Sequence, residues 1–222
     1  MASKAGYPTG FCTDNLMNGL QLRKRLLAFA LAHFHRSYEP KVADRKRALF
    51  ADLAGTVLEI GPGTAPNLLY LAHDVRWIGI EPNPFMHPHI RNRAARLGLS
   101  IDLRSGRAER LEVDSASVDA VISTLVLCSV ADVAATLREI RRVLRPGGRF
   151  LFLEHVAAPP GARLRQLQRL IRPLARCLAD GCCPDRETGQ AIEAAGFSGL
   201  RYDRFTLALP IVGPHIAGFA IK

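Results

Sequence analysis

The chain has five cysteines and no C-x-x-C pair among them. Cys12, Cys128, Cys177, Cys182 and Cys183 are odd in number and irregular in spacing. That excludes a disulfide framework and argues against a structural zinc site. No basic start is followed by an apolar run, so no secretory leader is expected. The longest early apolar stretch, Leu26 to Ala32, is too short to cross a bilayer. The sequence also lacks internal repeats, low-complexity tracts and any recognisable nucleic-acid-binding motif. These absences predict a reducing, cytoplasmic compartment.

What remains is an ordinary globular composition. The 222 residues are 48% hydrophobic and 23% charged, enough for one large domain with a buried core and little more. Lys and Arg number 30 against 20 acidic residues, a net charge of +10. A basic surface suits nucleic acid, anionic membranes or acidic substrates. The basic residues are spread along the chain, however, and no nucleic-acid partner is expected.

Residues 1–15, with Gly6, Pro8 and Gly10, read as a flexible tail, and 16–222 as a single domain. Two N-terminal helices are expected within 16–54. In the first, Leu16 to Phe34, apolar Leu16, Leu20, Leu27 and Leu31 recur at helical spacing. The second, Pro40 to Leu53, is basic and closed by Gly55. From Thr56 onward strands and helices alternate. Strands are predicted at Thr56–Ile60, Arg76–Ile80, Ser100–Arg104, Val118–Thr124 and Arg149–Glu154, the last entered through a tight Pro146-Gly147-Gly148 turn. Helices are predicted at 65–72, 84–97, 132–144 and 186–195. Two late strands, Ser198–Phe205 and Gly213–Ile221, complete the set. The pattern predicts an α/β fold: a Rossmann-like, doubly wound, mostly parallel seven-stranded sheet.

A helical insertion follows strand five, at 157–185. Arg165, Arg169, Arg172 and Arg176 share one face of it; Leu164, Leu167, Ile171, Leu174 and Leu178 share another. Three readings stay open: a lid over the active site, a helix making peripheral membrane contact, or a solvated helix packed on the sheet.

The segment Glu59-Ile60-Gly61-Pro62-Gly63-Thr64-Ala65 turns a buried strand sharply into a helix. Gly61 and Gly63 let the backbone approach a ligand without a Cβ in the way. The usual phosphate fingerprint is incomplete, and the acidic Glu59 before it suits a cationic ligand better than a pyrophosphate. Glu81, at the end of the second strand, follows about 20 residues later, where Rossmann sites bind a ribose diol. Further elements are Gly106 to Leu111, Val118 to Thr124, and Leu144 to Gly148.

In this order and spacing the five elements resemble the class I S-adenosylmethionine-dependent methyltransferases. The resemblance implies that the cofactor is held by Glu59, Gly61, Pro62, Gly63, Thr64, Asn67, Glu81, Pro82, Asn83, Ala108, Glu109, Thr124, Leu125 and Cys128. Ala65 stands where the family often has glycine. A narrower likeness lies in Thr124 to Val130, Glu154-His155-Val156, Asp180-Gly181-Cys182-Cys183 and Val212 to Ile216. These strings resemble the methyltransferase-like alkyl thiol S-methyltransferase family, which implies methyl transfer to a thiol or other small nucleophile. O- or N-methylation of a natural product, quinone or lipid, and a non-catalytic cofactor-binding protein, stay open beside it.

Candidate acceptor-pocket residues follow strands four and five, where ligands bind in open α/β sheets. They are Leu127, Cys128, His155, Asp180 and His215, with catalytic roles expected of His155, Asp180 and His215. The adjacent Cys182 and Cys183 allow arsenic(III) binding with Cys128 or Cys177, or simply two small residues packed in a loop. No metal is expected in the site.

Overall fold

The computed structural model describes residues 11–222. Residues 1–10, most of the expected tail, lie outside the described residues. Residues 11–15 already belong to a helix, α1 (Phe11–Phe50). The two helices expected before residue 54 are therefore one. Pro40 lies inside it, where proline removes one backbone hydrogen bond. Tertiary burial carries the helix past that gap: Tyr38, Val42, Lys46 and Phe50 recur every fourth residue and are all at most 2% exposed. Lys46 forms an ion pair with Glu39 at 2.8 Å. Glu39 also accepts from Tyr70 Oη, which ties α1 to the rest of the domain.

The remaining strands are β1 (Thr56–Ile60), β2 (Arg76–Ile80), β3 (Ile101–Arg104), β4 (Val118–Thr124), β5 (Leu144–His155), β6 (Gly199–Thr206) and β7 (Pro214–Ile221). They form a single sheet in the order β3-β2-β1-β4-β5-β7-β6. The first five pair in parallel; β7 enters antiparallel to both β5 and β6. β5 begins at Leu144, earlier than expected. Its pairing with β4 shifts register between Val118 and Ala120, which absorbs the Pro146-Gly147-Gly148 turn inside the strand.

The helices are α2 (His87–Leu97), α3 (Val133–Val143), α4 (Arg163–Leu178) and the short α5 (Thr188–Glu193). The expected helix at 65–72 is only a single 3-10 turn, Pro66–Tyr70. Asp132 caps α3 by accepting from the Ala135 amide, and Leu137, Ile140 and Val143 are buried against the sheet. One core cluster gathers around Leu58, Val121 and Phe152, and a second around Val57, Trp77 and Leu151. Hydrophobic side chains thus fill both faces of the central strands, as a parallel sheet requires.

α4 is not held by its leucines. Leu170, Leu174 and Leu178 are 78%, 61% and 66% exposed. Its anchor is polar: fully buried Gln168 accepts from the Ala158 amide and donates to the Ile211 carbonyl. The apolar stripe therefore faces outward, and the helix is not packed on the sheet through it.

Gly218 marks where the β6–β7 ladder leaves no room. A Cβ there would stand 2.2 Å from the Arg201 carbonyl oxygen and 2.5 Å from Tyr202 Cα. Gly218→Ala is expected to lower stability by about 1–3 kcal/mol through forced backbone movement. Leu170→Ala, on the exposed stripe, should change it by less than about 0.5 kcal/mol. Urea unfolding midpoints of the two variants test the contrast.

Candidate active site

β1 delivers a buried carboxylate to the base of the loop that follows it. Glu59 is 1% exposed. One of its oxygens accepts from Asn67 Nδ2 and the other from Trp77 Nε1, both at 2.9 Å. Burial raises its pKa to about 7, against the pull of those two donors and of Lys46. The indole reaches Glu59 by crossing Gly79, where a Cβ would stand 2.1 Å from the ring. Asn67 also donates to Thr124 Oγ1, so β1, the 3-10 turn and the end of β4 share one network. Asn67 Oδ1 is buried with no hydrogen-bond partner.

Above Glu59 the chain makes a run of left-handed residues. Gly61, Gly63 and Ala65 have φ of 55°, 59° and 52°. Alternating left-handed residues curl a loop tightly; Ala65 adopts the conformation at a modest energetic cost. Pro62 and Thr64 lie between them, both buried.

Glu81 faces this loop from the end of β2. It is 5% exposed and accepts from the amides of Gly63 and Asn83 at 2.9 Å. Burial raises its pKa while these amides lower it. Pro82 beside it is exposed. Asn83 is buried and donates to the Lys24 carbonyl, which brings α1 over the end of β2. Ala108 is buried after β3, and Glu109 accepts from the Ala131 amide.

A second buried carboxylate organises the neighbouring strand ends. Glu154, fully buried on β5, accepts from Ser123 Oγ and from the Val126 and Leu127 amides. Burial, and then Cys128, raise its pKa to about 8. These bonds fix the loop after β4, in which Leu125 adopts a left-handed φ of 58°.

That loop places Cys128 beside His155 and Cys182. Cys182 Sγ lies 3.4 Å from His155 Nε2. The Cys182 thiol donates to Cys128, and with His155 nearby the Cys128 thiol ionises well below its ordinary value despite burial. Burial opposes charge on His155, but Cys128 holds its pKa above normal. His215 sits opposite His155 on β7 and stacks on Tyr38 and Phe205. Its Nδ1 meets the Gly213 carbonyl at 2.8 Å, so Nδ1 carries the proton and Nε2 is an acceptor. Burial lowers its pKa to about 4. Tyr38 Oη, His155 Nδ1 and His215 Nε2 are all buried without a partner.

The chain is 37% identical over 212 residues to thiol S-methyltransferase TMT1A of Homo sapiens, spanning 90% of this chain and 87% of that protein. With thiol S-methyltransferase TMT1B of Homo sapiens the identity is 36% over 196 residues, 82% and 80% of the two chains. Residues 58–152 match the methyltransferase domain family.

The chain belongs to the thiol S-methyltransferase family of class I methyltransferases. The cofactor of this methyltransferase is S-adenosylmethionine. Solved structures add the fold alone. A SAM-dependent methyltransferase from Methanosarcina mazei has a TM-score of 0.59 at 18% identity, over 75% of this chain and 92% of that one. The (4+2)-cyclase SpnF has 0.66 at 19% identity, over 82% and 79%. A cyclase on this frame shows that the architecture does not dictate the chemistry.

The methyltransferase brings most residues nominated from its sequence to one edge of the sheet. Asp180 stands apart: it is exposed, with φ of 50°, and its charge is felt at Glu81 rather than at the histidines. Sequence reasoning missed Glu154 and Tyr38 as site residues, and left Cys182 between a soft-ion ligand and a residue packed in a loop. Glu154 lies within the string Glu154-His155-Val156, and a carboxylate in an otherwise apolar strand is the signal that marks it. Tyr38 reaches the site from α1 and carries no local motif.

Glu59 gives a pH test. Its pKa is about 7 folded, above the ordinary carboxylate value it has unfolded. Between the two, the folded state holds a proton that the unfolded chain has released. This contribution to stability is complete below the unfolded pKa and is lost as pH rises through about 7. Wild type should therefore lose more stability than Glu59→Gln between about pH 5 and 8. Parallel urea-unfolding curves across that range would refute the assignment.

Proposed function

We propose that the protein is an S-methyltransferase that moves a methyl group to a small thiol. When bound, the cofactor supplies the methyl group already activated on a sulfonium. The chain supplies alignment and exclusion of water. In this reading Gly61, Pro62, Gly63 and Thr64 wrap the methionine part. The unpartnered Asn67 Oδ1 accepts from its ammonium, and Glu59 holds Asn67 in place. Glu81 takes the ribose hydroxyls on lone pairs left over from its two amide bonds. Pro82 and Asn83 close that side, and Ala108 and Glu109 border the adenine. Thr124, Leu125 and Cys128 line the path to the methyl group.

The acceptor pocket is the row Tyr38, His215, His155 and Cys128; Asp180 lies apart from it, toward Glu81. One observation carries the reading: three buried polar atoms in this row have no protein partner, so the space suits a polar guest rather than an apolar core. His215, with its pKa near 4, is neutral at physiological pH and a weak base. An alcohol needs a strong base to become a nucleophile; a thiol, with a reference pKa of about 8.5, does not. The full-length likeness to thiol S-methyltransferases supports the same choice.

We read the enzyme as cytoplasmic, a reducing compartment that suits the unpaired Cys128, Cys182 and Cys183. Among the described residues no helix is long and apolar enough to cross a membrane. The exposed leucine stripe of α4, flanked by Arg169, Arg172 and Arg176, suits peripheral contact with an anionic membrane surface. Co-sedimentation with phosphatidylserine vesicles, lost in Leu174→Glu, is the expected outcome; equal pelleting of both proteins would rule that contact out. Nucleic acid has no place in the reading.

Release of S-adenosylhomocysteine over a panel of thiols, phenols and amines tests the acceptor. Turnover confined to thiols is expected, and turnover confined to phenols or amines would reverse the conclusion. Glu81→Ala should weaken S-adenosylhomocysteine binding by about 1–3 kcal/mol in calorimetry. Unchanged affinity would remove Glu81 from the cofactor site.

A further inference from the structure

We propose that Cys128, His155 and Cys182 form a Zn²⁺ site whose fourth position takes the acceptor thiol. The inference deepens the thiol reading above and rests on it for the identity of that fourth ligand. The three side chains come from the loop after β4, the end of β5 and the loop after α4. Their ligand atoms all lie within 4.8 Å of one another. A tetrahedral zinc with ordinary Zn–S and Zn–N bonds sets sulfur and nitrogen ligands roughly 3.5 Å apart, and two sulfurs roughly 3.8 Å. His155 Nε2 and Cys182 Sγ are already 3.4 Å apart. From that 4.8 Å bound the remaining edges need to contract by at most about 1 Å between the sulfurs and about 1.3 Å from the Cys128 sulfur to the ring nitrogen.

The donor set points to zinc. Two thiolates and one imidazole suit a borderline-soft, redox-inert ion, and three protein ligands with an open position are the pattern of catalytic rather than structural zinc. Burial agrees: Cys128 and His155 are 2% and 4% exposed, while Cys182 is half-buried and leaves an approach from solvent. Cys183 does not join, because its thiol turns to the Gly181 carbonyl and to Arg186.

The loops are locked together before any ion arrives. The Cys183 amide donates to the Cys128 carbonyl at 2.9 Å. Arg186 donates to the Leu127 and Val130 carbonyls. Gly181 passes so close to Ser129 that a Cβ would stand 2.9 Å from its carbonyl oxygen. The unpartnered Tyr38 Oη and His215 Nε2 lie in the ring stack that continues from His155, a polar wall for the guest.

In the reaction, the acceptor thiol releases its proton to solvent on entering the fourth position. Its sulfur forms the new S–CH₃ bond as the cofactor's CH₃–S⁺ bond breaks. That electron pair returns to the cofactor sulfur, and no oxidant or reductant is needed.

The test is cobalt substitution in the full-length, reduced protein after chelation. Co²⁺ should give thiolate-to-cobalt charge-transfer absorption that saturates at about one equivalent and is displaced by Zn²⁺. Cys128→Ser and Cys182→Ser should lose the band, while Cys177→Ser, on exposed α4, keeps it. Near-ultraviolet circular dichroism and the urea unfolding midpoint of each variant check folding independently. A small thiol should shift the cobalt spectrum, and the matching alcohol should not. Absence of the band in wild type, or its survival in Cys128→Ser, overturns the metal site. Thiol turnover undiminished after chelation also overturns it and leaves the thiol reading intact. A saturable band with no thiol turned over keeps the metal site and sinks the thiol reading.

Discussion

A carboxylate taken out of water must be given donors, and Glu59 receives them from two other parts of the chain. Trp77 donates from β2 and Asn67 from the 3-10 turn, and Asn67 reaches on to Thr124 at the end of β4. The desolvation cost of one acidic side chain thus fixes three strand ends relative to one another. The loop above it can then hold its left-handed residues without collapsing into the core. At the base of this loop Asn67 Oδ1 is left buried without a partner.

Glu154 repeats the arrangement one strand pair along. It holds the loop after β4 through two amides and a hydroxyl, and the left-handed Leu125 is the local strain that this bonding sustains. The two buried acids divide the work. Glu59 fixes the loop after β1 and Glu154 the loop after β4, the two loops to which the proposed function gives the cofactor and the acceptor.

The sheet was legible in the sequence because parallel strands buried on both faces read as short apolar runs, bounded here by glycine and acid. The tight loop facing Glu81 was legible because its residues lie close together: Glu59 to Asn67 is one continuous segment, and Glu81 falls at the spacing a βαβ unit sets. α1 was misread because Pro40 is a local breaking signal, and the stripe that overrides it appears only once Tyr38, Val42, Lys46 and Phe50 have a surface to cover. The acceptor end was legible only in part. Cys128, His155 and Cys182 are far apart in sequence, and no spacing rule joins residues that meet through two loops and a strand end. Cys182 and Cys183 are adjacent in sequence, but their side chains face different partners, His155 for the one and Arg186 for the other.

The strand order has a further consequence for how the molecule is made. β7 is synthesised after β6 yet lies between β6 and the rest of the sheet. Until β7 emerges from the ribosome, β6 has nothing to pair with, and position 215 of the pocket is vacant. A chain that stops short of β7 leaves one edge of β5 unpaired and lacks His215, so the row of Tyr38, His215, His155 and Cys128 is complete only once β7 has docked.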